Sequence, residues 1–363
     1  MAELATLTPD WISAPGETIE DILEERGWSK KDFADRAGFS TKHVNELTKG
    51  RVIITADAAE RLARVLGSTP TFWLTRDAQY QARLERQKSI ELAINDADWL
   101  KEIPLAWMKK CGWVRAFRNR GEQVLECLSF FGVHSVDAWR GKYQTPLVAF
   151  RSSDKFDKKD GAVAAWLRQA EVEATALQSD PFNERGFRAA LGNLRALTQE
   201  SDPAVFVPKL VELCAQNGVA VVFVPAPKGC PVSGATQWLL PDKAMLALSL
   251  RYKTNDHLWF TFFHEAAHIL KHSKKMLFIE GMKGLDKTHE DEADHFASNW
   301  LISLVDAKRL HELSKKSYLS KDDICAFAQQ IGVDAGIVVG RMQKEGWLPW
   351  SHMNGLKVRF KWS

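Results

Sequence analysis

The sequence predicts an α+β protein, mostly helical, in which a five-helix N-terminal domain, a helical connector and a C-terminal domain with a small sheet follow one another. Three observations carry this reading. Apolar residues between Glu17 and Gln87 recur at helical spacing in short bursts separated by glycine, and β-type runs gather between Val219 and Leu250. In addition, 363 residues exceed the roughly 250–300 at which a single core usually stops growing. The expected domains are residues 1–90, 91–160 and 161–363.

The N-terminal bursts are Ile19, Ile22 and Leu23; Phe33 and Ala34; Val44 and Leu47; and Ala59, Leu62, Ala63, Val65 and Leu66. Ser29 is a good N-cap with Asp32 three residues on, and Gly38 stands where a tight turn needs a positive φ. Ser40 or Thr41 caps the next helix. Thr69-Pro70, a cap followed by proline at the first helical position, opens a longer helix through Trp73 toward Gln87. The stretch from 88 to 160 is helical in character and rich in tryptophan (Trp99, Trp107, Trp113, Trp139), closing in the charged run Arg151 to Gly161.

Three amphipathic patterns follow, near 162–178, 183–198 and 203–217, the last ended by Asn217-Gly218. Strands are expected over Val219–Val224, Ala235–Leu239 and Ala244–Leu250. A helix begins around Thr254-Asn255-Asp256 and runs past His268, and another begins near Thr288 and holds Glu290 to Leu301.

Composition excludes some classes. With 45% hydrophobic and 26% charged residues the chain reads as ordinary globular, and no apolar run approaches the roughly 18–20 residues that span a bilayer. Met1 to Pro15 lacks the basic start and apolar centre of a secretory signal, so the expectation is a cytoplasmic protein without a membrane partner. The five cysteines show neither a CxxC pair nor zinc-thiolate spacing, so they read as free thiols, with Cys230 in a Gly-Cys-Pro turn the one alternative as a ligand or redox handle. A net charge of +3 argues neither for nor against nucleic acid.

His264-Glu265-Ala266-Ala267-His268 carries the chemistry. Two histidines four residues apart project from one helical face and can grip one Zn2+ ion, while Glu265 points at the open coordination position, where it can move a proton between water and a leaving amine. Trp259, Phe260, Phe262, Phe263, Ile269 and Leu270 make this helix buried, where two histidines and a glutamate are costly without a partner. A third ligand is available in Glu290 to Ala297. Glu290 is preferred over Glu292 because Asp294, four residues on, then shares its face and can orient a ligand imidazole. Tyr252 or His257 can stabilise an oxyanion or make an ordinary structural hydrogen bond, and His272 extends the histidine stripe or simply favours a helix C-terminus.

Phe263-His264-Glu265-Ala266-Ala267-His268-Ile269-Leu270 followed by Glu290-x-Glu292-Ala293-Asp294-x-Phe296-Ala297 resembles the ImmA/IrrE-type metallopeptidases, over roughly residues 160–350. That resemblance implies a zincin-like domain in which His264, His268 and Glu290 bind zinc and Glu265 is catalytic. Relatives often carry Asn where this chain has Asp294. It also implies cleavage of repressors.

Trp28 to Arg51 resembles the Cro/repressor-type helix-turn-helix, and the wider Thr8 to Gln87 region is similar to HigA-type antitoxins. A recognition helix presents its early residues to base edges; Ser40, Thr41, Lys42, His43 and Asn45 supply donors and acceptors, and Lys49 and Arg51 are available to phosphates. The first helix is acidic (Glu17, Glu20, Asp21, Glu24, Glu25), so affinity is expected to rest on a homodimer pairing on a palindromic operator. The joint expectation is a DNA-binding transcriptional regulator with zinc endopeptidase activity, cleaving itself or a partner repressor or antitoxin. The alternative is an antitoxin or repressor whose peptidase-like domain binds a toxin or senses a ligand with little proteolysis.

Overall fold

Short polar caps and glycine stops cut the N-terminal chain into helices. In the structure, a computed structural model that describes residues 13–144, 158–249, 251, 253–274, 276–280 and 287–360, these are α1 (Pro15–Glu25), α2 (Lys30–Ala37), α3 (Thr41–Thr48), α4 (Ala56–Leu66) and α5 (Pro70–Ala93). Ser29 accepts from the Asp32 backbone while Asp32 reaches back, a reciprocal cap, and Gly38 closes α2 at φ 68°, a left-handed conformation that glycine adopts without Cβ strain. Ser40, not Thr41, caps α3. Thr69 caps α5, which continues beyond Gln87 to Ala93. The apolar bursts meet in one core of Ile19, Leu23, Phe33, Val44, Leu47, Ala59, Leu62 and Trp73.

The chain divides into two compact units, residues 1–97 with 118–125, and residues 98–117 with 126–363. The stretch expected as a connector is therefore shared out between them. Its helices are a 3₁₀ segment Ile94–Lys101, α6 (Leu105–Lys110), α7 (Arg120–Phe131) and α8 (Val136–Trp139). Within the second unit, Trp99, Phe131, Trp139 and Tyr143 pack edge to face. Much of the expected Arg151 to Gly161 boundary lies outside the described residues.

The second unit continues with α9 (Lys158–Ala176), α10 (Glu184–Ala196) and α11 (Pro203–Ala215), then β1 (Val219–Phe223), β2 (Gly234–Leu240) and β3 (Lys243–Leu248). After these come α12 (Asn255–Lys271), β4 (Phe278–Ile279), α13 (Lys287–Leu301), α14 (Leu304–Ser314), α15 (Lys321–Ile331) and α16 (Ala335–Lys344). The protein is thus mostly helical with a small mixed sheet of order β1-β3-β2-β4, in which β1 runs parallel to β3 and the other pairings are antiparallel. β4 went unforeseen, because its pair with β2 involves only Phe278 and Ile279, too short a run to show alternation. The run from Ala244 is β3 and is hydrogen-bonded on both sides, so it has no free edge. Leu250 and Tyr252 lie outside the described residues.

α12 is enclosed nearly all round: Leu258, Trp259, Phe262, Phe263, Ala266, Ala267 and Ile269 are buried in the core that also holds Leu246, Ala293, Ala297 and Val338. The C-terminal segment fastens its first turn. Arg359 bridges Thr254, the Asn255 amide donates to Val358 oxygen at 3.0 Å, and the Phe360 amide donates to Lys253 oxygen at 2.7 Å. Lys357 Nζ meets Asp256 Oδ2 at 2.6 Å, and both side chains are buried. Among the described residues no single helix is long and apolar enough to cross a membrane.

β2 crosses α12 closely because Gly234 has no side chain. A Cβ there would stand 2.6 Å from Thr261 Cγ2 and 2.8 Å from Glu265 Oε1. Gly234→Ala is expected to lower stability by about 1–3 kcal/mol through this overpacking. Denaturant unfolding checks it; an unchanged midpoint means that β2 can move away from α12 at no cost.

Candidate metal centre

Residues four apart on a helix share a face, so α12 presents His264 and His268 together and α13 presents Glu290 and Asp294 together. The two faces meet. His264 Nε2 lies 3.0 Å from His268 Nε2, 3.4 Å from Glu290 Oε2, and His268 Nε2 lies 3.5 Å from Glu290 Oε1. For ligand bonds of 2.0–2.1 Å, neighbouring donors of a tetrahedral zinc stand about 3.3 Å apart, and the two histidine nitrogens and the nearer Glu290 oxygen of each lie close to that spacing. Among the described residues the donor atoms of His264, His268 and Glu290 form a group within 4.8 Å of one another that can hold a metal ion. Glu290 Oε1 is buried without a hydrogen-bond partner, and a carboxylate oxygen so placed suits a cation beside it. Glu292, the other candidate ligand, is turned away: its Oε2 meets His272 Nε2 at 3.2 Å.

The electrostatics call for positive charge between these groups. Burial disfavours a charged His264, but hydrogen bonds with Asp294 (Nδ1 to Oδ1, 3.0 Å) and Glu290 outweigh it and carry the imidazole up to about 11. Burial and the neighbouring His264 and His272 push His268 down to about 2, so it presents a neutral ring. Asp294, which burial alone would raise, is held below the usual carboxylate range by its bond to His264. Phe278 stacks on His268 with ring centroids 4.0 Å apart and fixes its plane.

Glu265 has no exposed surface, and burial pushes its carboxyl up to about 8. Thr236 on β2 donates to Glu265 Oε2 at 2.6 Å, while Oε1 is buried without a partner. One carboxylate oxygen is therefore tethered and the other free. Glu280, just after β4, is raised by burial and coupled to His264, Glu290 and Asp294; its Oε2 also has no hydrogen-bond partner. Sequence reasoning missed both Thr236 and Glu280, since strand-to-helix pairing across 29 residues leaves no local signal.

Beside these groups opens a cavity of about 370 Å³, walled by Phe260, Leu301, Ile302, Ile337 and Trp350, with Glu280, Arg341 and Lys344 among its polar lining. His257 lines it too, its imidazole lowered by burial. The five cysteines are free, burial raises the Cys230 thiol to about 11, and among the described residues Cys230 is not part of the group that can hold a metal.

In the first unit, Ser40, Thr41, Lys42, Lys49 and Arg51 are exposed on and around α3, and His43 and Asn45 are half-buried. His43 rests against the Phe39 ring at 4.9 Å, and Arg51 lies 3.9 Å from Glu46, an exposed pair of little energetic weight. The acidic residues of α1 are also exposed.

Residues 19–74 match the helix-turn-helix family. A stretch of 79 residues is 27% identical to YddM, an uncharacterized HTH-type transcriptional regulator of Escherichia coli (strain K12), over 22% of this chain and 83% of that protein. Another, of 83 residues, is 32% identical to virulence-associated protein I of Dichelobacter nodosus, over 22% of this chain and 77% of that protein. Among solved structures, a Nostoc punctiforme protein assigned as an antidote of a plasmid maintenance system is 33% identical over 21% of this chain and 84% of its own, with a TM-score of 0.21. The family match lies within the first unit.

Proposed function

Because the chain belongs to the helix-turn-helix family through residues 19–74 and is in that respect a DNA-binding protein of the transcription-regulator kind, we propose that it is a DNA-bound regulator whose second unit is a zinc-dependent endopeptidase. The observation that carries the enzymatic half is the convergence of His264, His268 and Glu290 beside a fully buried Glu265 with one free oxygen. An ImmA/IrrE-like, zincin-like role accounts for each of these groups.

His264, His268 and Glu290 would hold the ion, and Asp294 orients the His264 ring. Zinc, when bound, supplies Lewis-acid polarisation of water and of a peptide carbonyl. Glu265 takes the proton of the attacking water on its free oxygen and delivers it to the departing amine nitrogen, with Thr236 keeping the other oxygen in place. The cavity beside Phe260 receives a side chain next to the scissile bond. The substrate is the chain itself or a partner repressor or antitoxin.

Regulator function rests on α3. Operator binding as a homodimer offsets the acidic surface of α1. Asn45→Ala is expected to weaken operator binding by about 1–3 kcal/mol, the worth of a base-edge contact, and to leave nonspecific affinity alone. A gel-shift titration against operator and scrambled duplex decides; parallel loss on both reduces Asn45 to a backbone contact.

The whole reading is tested by elemental analysis of the purified chain joined to a cleavage assay against itself and candidate repressors and antitoxins. Bound zinc with cleavage supports it. DNA binding without metal or cleavage leaves the regulator and overturns the enzyme, and toxin capture in that state favours the antitoxin role.

A further inference from the structure

The last turn of α12 carries a histidine that neither the ligand set nor the proton transfer uses. His272 stands at the C-cap, its backbone amide donating to His268 oxygen at 3.2 Å. Its side chain is only 2% exposed. The ring bridges two elements: Nδ1 lies 2.8 Å from His268 Nδ1, and Nε2 lies 3.2 Å from Glu292 Oε2 on α13. His289 packs against its face with centroids 4.5 Å apart.

Only one placement of hydrogens satisfies this chain of contacts. A neutral imidazole carries one ring proton, so where two Nδ1 atoms face each other one must donate and the other accept. His268 Nε2 is the atom turned to the ligand group and has to be bare there. Its proton then sits on Nδ1 and is donated to His272 Nδ1. His272 must in turn hold its own proton on Nε2, which is donated to Glu292, an acceptor.

We propose that His272 and Glu292 form a positioning relay that locks His268 in its metal-binding tautomer. The proposal rests on the metal-centre reading above and assigns Glu292, a candidate ligand from sequence, a different task. Asp294 does the same for His264 Nδ1 in a single step, whereas His268 Nδ1, the nitrogen turned away from Glu290, meets His272 and reaches the Glu292 carboxylate of α13 through it. Such orienting partners are typically worth 10–100-fold in metal affinity.

The test uses the full chain. Glutamine at 272 can accept from His268 through its carbonyl and donate to Glu292 through its amide, while leucine can do neither. Zinc affinity measured by chelator competition is expected to fall about 10–100-fold in His272→Leu and to return to within about threefold of wild type in His272→Gln. Long-range ¹H–¹⁵N spectra of the histidine-labelled, metal-free chain are expected to show His268 protonated on Nδ1 and His272 on Nε2. Wild type that binds no zinc overturns the metal centre together with this proposal. Wild type that binds zinc while both variants match it, or a His272 proton found on Nδ1, overturns the relay alone.

Discussion

Glu265→Gln is expected to keep zinc, fold and DNA binding and to lose peptide cleavage by about 10²–10⁴-fold, the usual share of general acid/base catalysis. The amide preserves the shape of a side chain with no exposed surface, and its nitrogen can turn toward the free side while its oxygen still accepts from Thr236. What is lost is the basic oxygen. Burial raises the carboxyl above the usual range, to about 8, and a carboxylate can accept a proton where an amide cannot. The measurement is initial cleavage rate of a confirmed target at equal zinc content. Equal rates for wild type and variant place hydrolysis elsewhere.

His264→Ala is expected to empty the centre. The histidine supplies one of three converging donors, its Nε2 within 3.0–3.4 Å of the other two, and the two that remain cannot define a tetrahedral face. Loss should exceed the roughly 100-fold at the top of the range for orienting residues. Glu290→Ala should behave alike, whereas Glu292→Ala should cost nearer tenfold, since Glu292 contacts His272 and not the donor group. Elemental analysis after gel filtration separates the three. Full zinc in His264→Ala removes the assignment, and greater loss in Glu292→Ala than in Glu290→Ala reverses the two glutamates.

Much of this was legible because it is local. Caps at Ser29 and Thr69 and the glycine stop at Gly38 are written within three or four residues of the turns they make. The shared face of His264 and His268, and that of Glu290 and Asp294, follow from helical spacing, whereas the meeting of the two faces is seen only in the fold. What escaped depends on separation in sequence. Thr236 reaches Glu265 across the sheet, β4 is two residues long, and the run from Ala244 turned out to lie between two neighbours, which only strand order reveals. His272 was seen as a helix-end residue. Its tie to Glu292, 20 residues on, depends on how α13 returns past α12.

The fastening of α12 by the C-terminal segment has a consequence for the order in which the protein matures during synthesis. The core of the first unit joins residues from Ile19 to Trp73, so it can close once that short stretch has left the ribosome. The helix bearing His264 and His268 waits longer, because its first turn is held by Val358, 103 residues beyond Asn255, and by the buried ion pair from Lys357. At about 5–20 residues per second, the usual rate of synthesis, that interval lasts several seconds. A nascent chain can therefore close its helix-turn-helix core before the segment around Val358 has been drawn onto the first turn of the helix that carries His264 and His268.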